Sequence, residues 1–156
     1  MRLVPVVRVK NTNIVMGDWS RGEIFLSSMI NVIVGIIQNE NKILVAQRPF
    51  AKPYGGDWEF PGGKIEVNET NEDALKRELH EELGIHTTIA EYWFQHFHAY
   101  PDKKVLLEVW RVIAFVGEPQ SKENQVLRWV TFPELLSLRV LEGNRAILDK
   151  IKFVIQ

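Results

Sequence analysis

The segment Gly63–Ile85, GKIEVNETNEDALKRELHEELGI, constrains this chain more than any other part of it. Leu75, Leu79 and Leu83 recur every four residues, which makes one apolar stripe along a helix. Thr70 and Asn71 are helix-starting residues, Glu72 and Asp73 suit the positive N-terminal end, and Gly84 is a natural left-handed stop. The spacing therefore predicts a helix bounded by Thr70 and Gly84 that lays its leucines on a core. Glu78, Glu81 and Glu82 stand at i, i+3 and i+4, so they project from one flank and oppose each other by roughly 0.2–0.5 kcal/mol per pair. A solvated charged face is the ordinary reading of such a helix. The glycines immediately before it change that reading.

Trp58-Glu59-Phe60-Pro61-Gly62-Gly63-Lys64 leads into the segment. Proline fixes one dihedral, and paired glycines let backbone approach a ligand closely. A turn of this kind also offers main-chain carbonyls as neutral oxygen ligands. Mg²⁺ takes near-octahedral oxygen coordination from a few carboxylates, water and substrate phosphate. Three glutamates and one carbonyl fit that demand, although Pro-Gly-Gly by itself would be a plain turn.

These residues match the pattern G-x5-E-x7-R-E-U-x-E-E-x-G-U, with U aliphatic, at every specified position. From average residue usage, a chance match at a given start is on the order of one in 10⁹. The chain thus resembles the Nudix hydrolase superfamily, whose signature pattern is the Nudix box. Ile33 to Arg48, Trp58 to Lys64 and Gly117 to Leu148 look like its MutT branch. The resemblance covers roughly residues 30–153, so it divides the chain into an extension, 1–29, of open role and a Nudix domain, 30–156.

The resemblance implies an α/β/α sandwich around a mixed β-sheet. It also implies a Mg²⁺-dependent hydrolase, with Mn²⁺ as a substitute, that cleaves a nucleoside triphosphate to a monophosphate and pyrophosphate. By position, Glu78, Glu81, Glu82 and the carbonyl of Gly62 match the metal ligands. Glu69 matches the residue that holds Arg77 by a salt bridge and so orients the ligand helix. Arg48 and Lys64 match positions near the triphosphate, and Glu123 matches a carboxylate used as metal ligand or general base. In such a reaction the metal neutralises phosphate oxygens and acidifies water, and a carboxylate takes the proton.

Substrate choice is less constrained. Asn144 occupies the position where MutT-like proteins read an oxidised purine, and an amide offers both a donor and an acceptor. In 8-oxoguanine O6 accepts while N7 carries hydrogen, so an asparagine satisfies both; in guanine both atoms accept. Asn144 could equally be the N-cap of a helix running to about Val154. Phe60 could stack on a base or fill the core. The Tyr100-Pro101-Asp102 stretch reads as a turn between strands. His96 and His98 share a strand face, without cysteine or carboxylate at zinc-ligand spacing. An oxidised purine such as 8-oxo-dGTP leads, which would place the enzyme in nucleotide-pool sanitation and DNA repair. CTP or 5-methyl-dCTP is the alternative, and a non-catalytic nucleotide sensor is remote because no acid of the box is missing.

Composition agrees with this reading. The 156 residues suit one domain, and a net charge of −1 with interleaved signs argues against a polymeric nucleic-acid partner. Cysteine is absent, which excludes disulfides and metal–thiolate sites. No apolar run approaches the roughly 20 residues of a membrane span. The first ten residues lack the pattern of a secretory signal, so a cytoplasmic enzyme, monomer or homodimer, is expected.

Strands are predicted over Ile30–Ile37, Ile43–Gln47, Thr87–His98, Val105–Val116 and Val126–Phe132, with a hairpin turn at Asn39-Glu40-Asn41 and short helices from Pro133 and Asn144. In the extension, Met1 to Val9 and Ile24 to Ile30 are apolar enough for strands, and Asn11 to Gly22 reads as a loop. An edge hairpin or a dimer contact is the expected role of the extension.

Overall fold

The computed structural model describes residues 6–9, 12–15 and 27–152. Elements follow in the order β1 (Val6–Val9), β2 (Thr12–Val15), β3 (Ser27–Asn39), β4 (Lys42–Gln47), β5 (Trp58–Glu59) and β6 (Gly62–Lys64). Then come α1 (Asn71–Leu83), β7 (His86–Ala99), β8 (Lys104–Val116), β9 (Val126–Thr131), α2 (Phe132–Ser137) and α3 (Glu142–Ile151).

β3 organises the sheet. It pairs in parallel with β8 and antiparallel with β6, while β7 extends the sheet beyond β8. At its far end β3 turns through Glu40 into β4, which pairs with β5 and β9. The parallel β3–β8 pair within otherwise antiparallel neighbours makes the sheet mixed.

Strand alternation sorts the core into two layers. Ile33 and Ile37 face α1, where they meet Leu75, Leu79 and Leu83. Val34 and Ile36 face the other way and pack with Val109, Val130, Ile147 and Ile151. Helices therefore cover both faces, the α/β/α sandwich expected. The stripe of α1 is close against β3: a Cβ added at Gly35 would lie 3.2 Å from a Leu75 methyl. The ends of α1 follow their residues. The Thr70 side chain accepts a hydrogen bond from the Asp73 N–H, and Gly84 closes the helix at φ 70° with its N–H on the His80 carbonyl.

Two expectations are corrected. Thr12–Val15, inside the stretch read as a loop, is a strand that pairs antiparallel with β1 and reaches β3 at Ile14 and Ser28. The terminal helix begins at Glu142, two residues before Asn144. The short strands β5 and β6 within Trp58–Lys64 have too few residues for a periodic signal. Expectations for 1–5, 10–11, 16–26 and beyond 152 lie outside the described residues. Among the described residues no helix is long and apolar enough to cross a membrane.

Leu79 is fully buried between α1 and β3, whereas Leu136 is 54% exposed on α2. Leu79→Ala is expected to cost about 2–5 kcal/mol of unfolding free energy and Leu136→Ala within about 0.5 kcal/mol, read by urea denaturation.

Candidate active site

Glu82 is the unusual member of the acidic flank. It falls three residues after Leu79, on the edge of the apolar stripe, and only 7% of it is exposed. Its Oε2 accepts the Gly62 N–H at 3.1 Å, and its Oε1 lies 3.5 Å from the Gln125 amide nitrogen. Burial pushes its carboxyl up to about 8, and the negative charges of Glu59 and Glu123 add to the rise.

Arg77 holds the other acids of the flank. Its Nε lies 2.6 Å from Glu69 Oε1 and its Nη2 2.8 Å from Glu69 Oε2, a bidentate pair. Nη1 reaches Glu78 at 2.8 Å and Glu81 at 3.3 Å, while Nη2 also donates to the Lys64 carbonyl at 3.0 Å. The guanidinium holds the Glu69 carboxyl below its ordinary range. Glu78 moves the other way, raised by burial despite Arg77. One cation is thus hydrogen-bonded to three carboxylates and lies 3.9 Å from a fourth, Glu66, while the buried Glu82 has no cation partner among the described residues.

The glycine pair sits against these acids because β6 pairs with β3, placing Gly62 opposite Val34 and Gly63 opposite Ile33. A Cβ at Gly63 would collide with the Glu78 carboxylate, so only glycine lets the acid lie over the strand. The loop after β8 closes the other side: the Gln120 and Lys122 N–H groups donate to the Leu83 and Glu82 carbonyls at 2.9 and 3.0 Å.

Beside these acids lies a cleft. Its lining includes Arg48, Gly62, Gly63, Lys64, Glu82 and Glu123. It also includes Phe60, Tyr100, Leu141 and Asn144. Glu78, Glu81 and Arg77 on α1, and Glu69 in the turn before it, are not among the lining residues. Lys64 and Glu123 are exposed at the rim. Arg48 is tethered, with Nη1 2.9 Å from Glu59 Oε2 and Nε 3.0 Å from the Pro53 carbonyl. Burial raises the Glu59 carboxyl, and Arg48 opposes the rise.

Asn144 is not a helix cap. It is buried within the first turn of α3, and its Oδ1 accepts the Phe60 N–H at 2.9 Å. The helix brings it there because the preceding segment runs beside β5. Trp58 N–H donates to the Arg139 carbonyl and Leu141 N–H to the Trp58 carbonyl, both at 2.8 Å. The Phe60 side chain is in the core, yet it also lines the cleft.

The donor set is oxygen-rich and short of positive charge, which suits a hard divalent cation. Glu78, Glu81, Glu82 and the Gly62 carbonyl could hold one, provided that Glu78 and Glu81 release Arg77. Among the described residues no three acidic or histidine side chains already converge as ligands. Sequence reasoning missed Glu59 and Gln125. The first was readable only as the lone acid of Trp58-Glu59-Phe60, and the second followed Glu123 in a loop without periodicity.

A NUDIX domain model matches residues 28–151. The chain is 40% identical over 121 residues to the CTP pyrophosphohydrolase of Escherichia coli, covering 78% of this chain and 90% of that protein. It is 36% identical over 124 residues to the 8-oxo-dGTP diphosphatase of the same organism, covering 79% and 96%. Among solved structures it is similar to the E. coli ORF135 protein, with TM-score 0.69 and 40% identity over 78% of this chain and 86% of that one. It is also similar to a MutT structure from work on Aliivibrio salmonicida and Vibrio cholerae, with TM-score 0.68 and 34% identity over 79% and 96%. With the box acids, the sandwich and these relatives in agreement, the chain belongs to the Nudix hydrolase family.

Proposed function

We propose that the protein is a Mg²⁺-dependent nucleoside triphosphate pyrophosphohydrolase acting on oxidised purine nucleotides such as 8-oxo-dGTP. The observation that carries this reading is the Asn144 amide, which lines the same cleft as Glu82, Gly62 and Lys64. A base against Asn144 would direct its triphosphate toward the acids. The Phe60 N–H orients Oδ1, so the amide NH₂ is the donor for O6, and the second lone pair of Oδ1 accepts N7–H. Guanine would set its N7 lone pair against that oxygen.

Glu78, Glu81, Glu82 and the Gly62 carbonyl would hold the metal. A bound divalent cation supplies neutralisation of phosphate oxygens and a lowered pKa for water. Water attacks the β-phosphorus, the bond from that phosphorus to the bridging oxygen of the α-phosphate breaks, and monophosphate and pyrophosphate leave. Glu123 is the candidate to take the water proton, being exposed at the cleft and unengaged with Arg77. Lys64 and Arg48 offer positive charge to the leaving oxygen.

A second reading has its own support. The 40%-identical E. coli relative is named for CTP, and cytosine's N3 acceptor and N4 amino donor also complement an asparagine amide.

Steady-state hydrolysis of 8-oxo-dGTP, dGTP, CTP and 5-methyl-dCTP with Mg²⁺ separates the two. The expected result is a kcat/KM preference for 8-oxo-dGTP over dGTP of up to roughly 10⁴-fold, cut at least about tenfold by Asn144→Ala. A preference for the cytidine nucleotides would replace the purine reading and leave the chemistry standing.

Glu82 gives a pH test. Its carboxyl in the folded, metal-free protein titrates near 8, above its ordinary value of 4.5, so the folded state binds the extra proton between these values. Stability from this group is complete below the lower value and is lost as pH rises through the upper one. Glu82→Gln should therefore raise the melting temperature of the metal-free protein at pH 8 and change it little at pH 4. The same variant should lose Mg²⁺-dependent turnover. An equal effect at both pH values would contradict the buried-acid account.

A further inference from the structure

Helix α3 starts without a cap of its own. Its N-cap residue, Leu141, has no side-chain acceptor, and Asn144 and Arg145 both send their N–H groups to the Leu141 carbonyl, at 2.9 and 3.0 Å. The Gly143 N–H instead donates to the hydroxyl of Tyr100, at 3.0 Å and away from solvent. Tyr100 belongs to the turn between β7 and β8, more than 40 residues earlier, so this is a cap supplied across the fold.

The fit around that hydroxyl is close. A Cβ at Gly143 would lie 2.7 Å from Tyr100 Oη, so glycine is required for the approach. The His98 ring packs edge-on against Tyr100 with centroids 4.5 Å apart, and Tyr54 lies against it at 5.3 Å. The turn holds its own geometry, with the Tyr100 N–H on the Lys103 carbonyl at 2.8 Å. Tyr100 lines the same cleft as Asn144.

We infer that Tyr100 is a specificity-positioning residue: its hydroxyl, by capping α3 at Gly143, sets where the Asn144 amide meets the base. The inference rests on the base-reading role of Asn144 proposed above. Asn144 follows Gly143 directly, so its backbone is anchored through the Gly143 N–H on Tyr100 while its side-chain Oδ1 accepts the Phe60 N–H from a separate element. Loosening one end would let the amide shift against a fixed base edge. Discrimination between bases depends on that register, whereas the acids of α1 lie on another helix. The loss should therefore fall on base selection and spare the chemical step.

The test compares wild type, Tyr100→Phe, Gly143→Ala, the double variant and Asn144→Ala on 8-oxo-dGTP and dGTP with Mg²⁺. Tyr100→Phe is expected to lower the kcat/KM ratio of the two substrates roughly five- to tenfold, the size of one lost hydrogen bond. The change should appear in KM for 8-oxo-dGTP, with kcat held within about twofold. Gly143→Ala should act in the same direction, and the double variant should lose little more than either single one. By NMR, the Gly143 amide proton should exchange faster with solvent in Tyr100→Phe than in wild type. An unchanged ratio in Tyr100→Phe, while Asn144→Ala collapses it, would overturn the positioning role and leave the substrate reading intact. An unchanged ratio in Asn144→Ala would overturn the substrate reading and this inference with it.

Discussion

A helix that carries a glutamate on its buried edge must have something set against the cost of desolvating that charge. Glu82 is nearly inaccessible, and its contacts are the Gly62 N–H and the Gln125 amide, both neutral. Two neutral dipoles do not offset burial, so the carboxyl rises to about 8. Much of the surrounding structure follows from serving this acid. β6 must pair with β3 to bring Gly62 into reach, and the loop after β8 must fold back over the end of α1 to deliver Gln125. A site that gathers carboxylates faster than it gathers cations is prepared for a cation from outside.

Arg77 keeps this arrangement from flying apart. Its guanidinium is shared by Glu69, Glu78 and Glu81, and it ties α1 to the strand carrying Lys64. A lysine could not make that set of contacts, because the planar fork reaches several acceptors from one fixed position. The flank is therefore rigid where Arg77 grips it and unmet at Glu82.

The lining of the cleft comes from different parts of the chain, and the short strap from Trp58 to Lys64 joins Asn144 to the acids of α1. Its first half pairs with the segment leading into α3 and, through the Phe60 N–H, holds Asn144. Its second half, two residues on, supplies Gly62 and Gly63 to the acids of α1. Asn144 is thus placed relative to the acids of α1 by a few residues of backbone. That short path is less compliant than a hinge between separate units would be.

Local chemistry determined a good deal on its own. The helix between Thr70 and Gly84, the hairpin through Glu40 and the helix after Pro133 follow from caps, turn residues and periodicity, which act over a few positions and leave a direct trace in the residues. The box acids were legible for the same reason, being gathered within one turn of one helix. What the residues did not disclose depends on partners far apart in the chain. That Glu82 is buried while Glu81 is half exposed depends on which side of α1 meets β3. That Arg48 is held by Glu59, and that Asn144 lies inside a helix with its amide on Phe60, depends on the pairing of β4 with β5 and of β5 with the approach to α3. Periodicity reports which face of an element is apolar, but the element that will cover it, and the hydrogen bonds made across that contact, are decided only when the sheet closes.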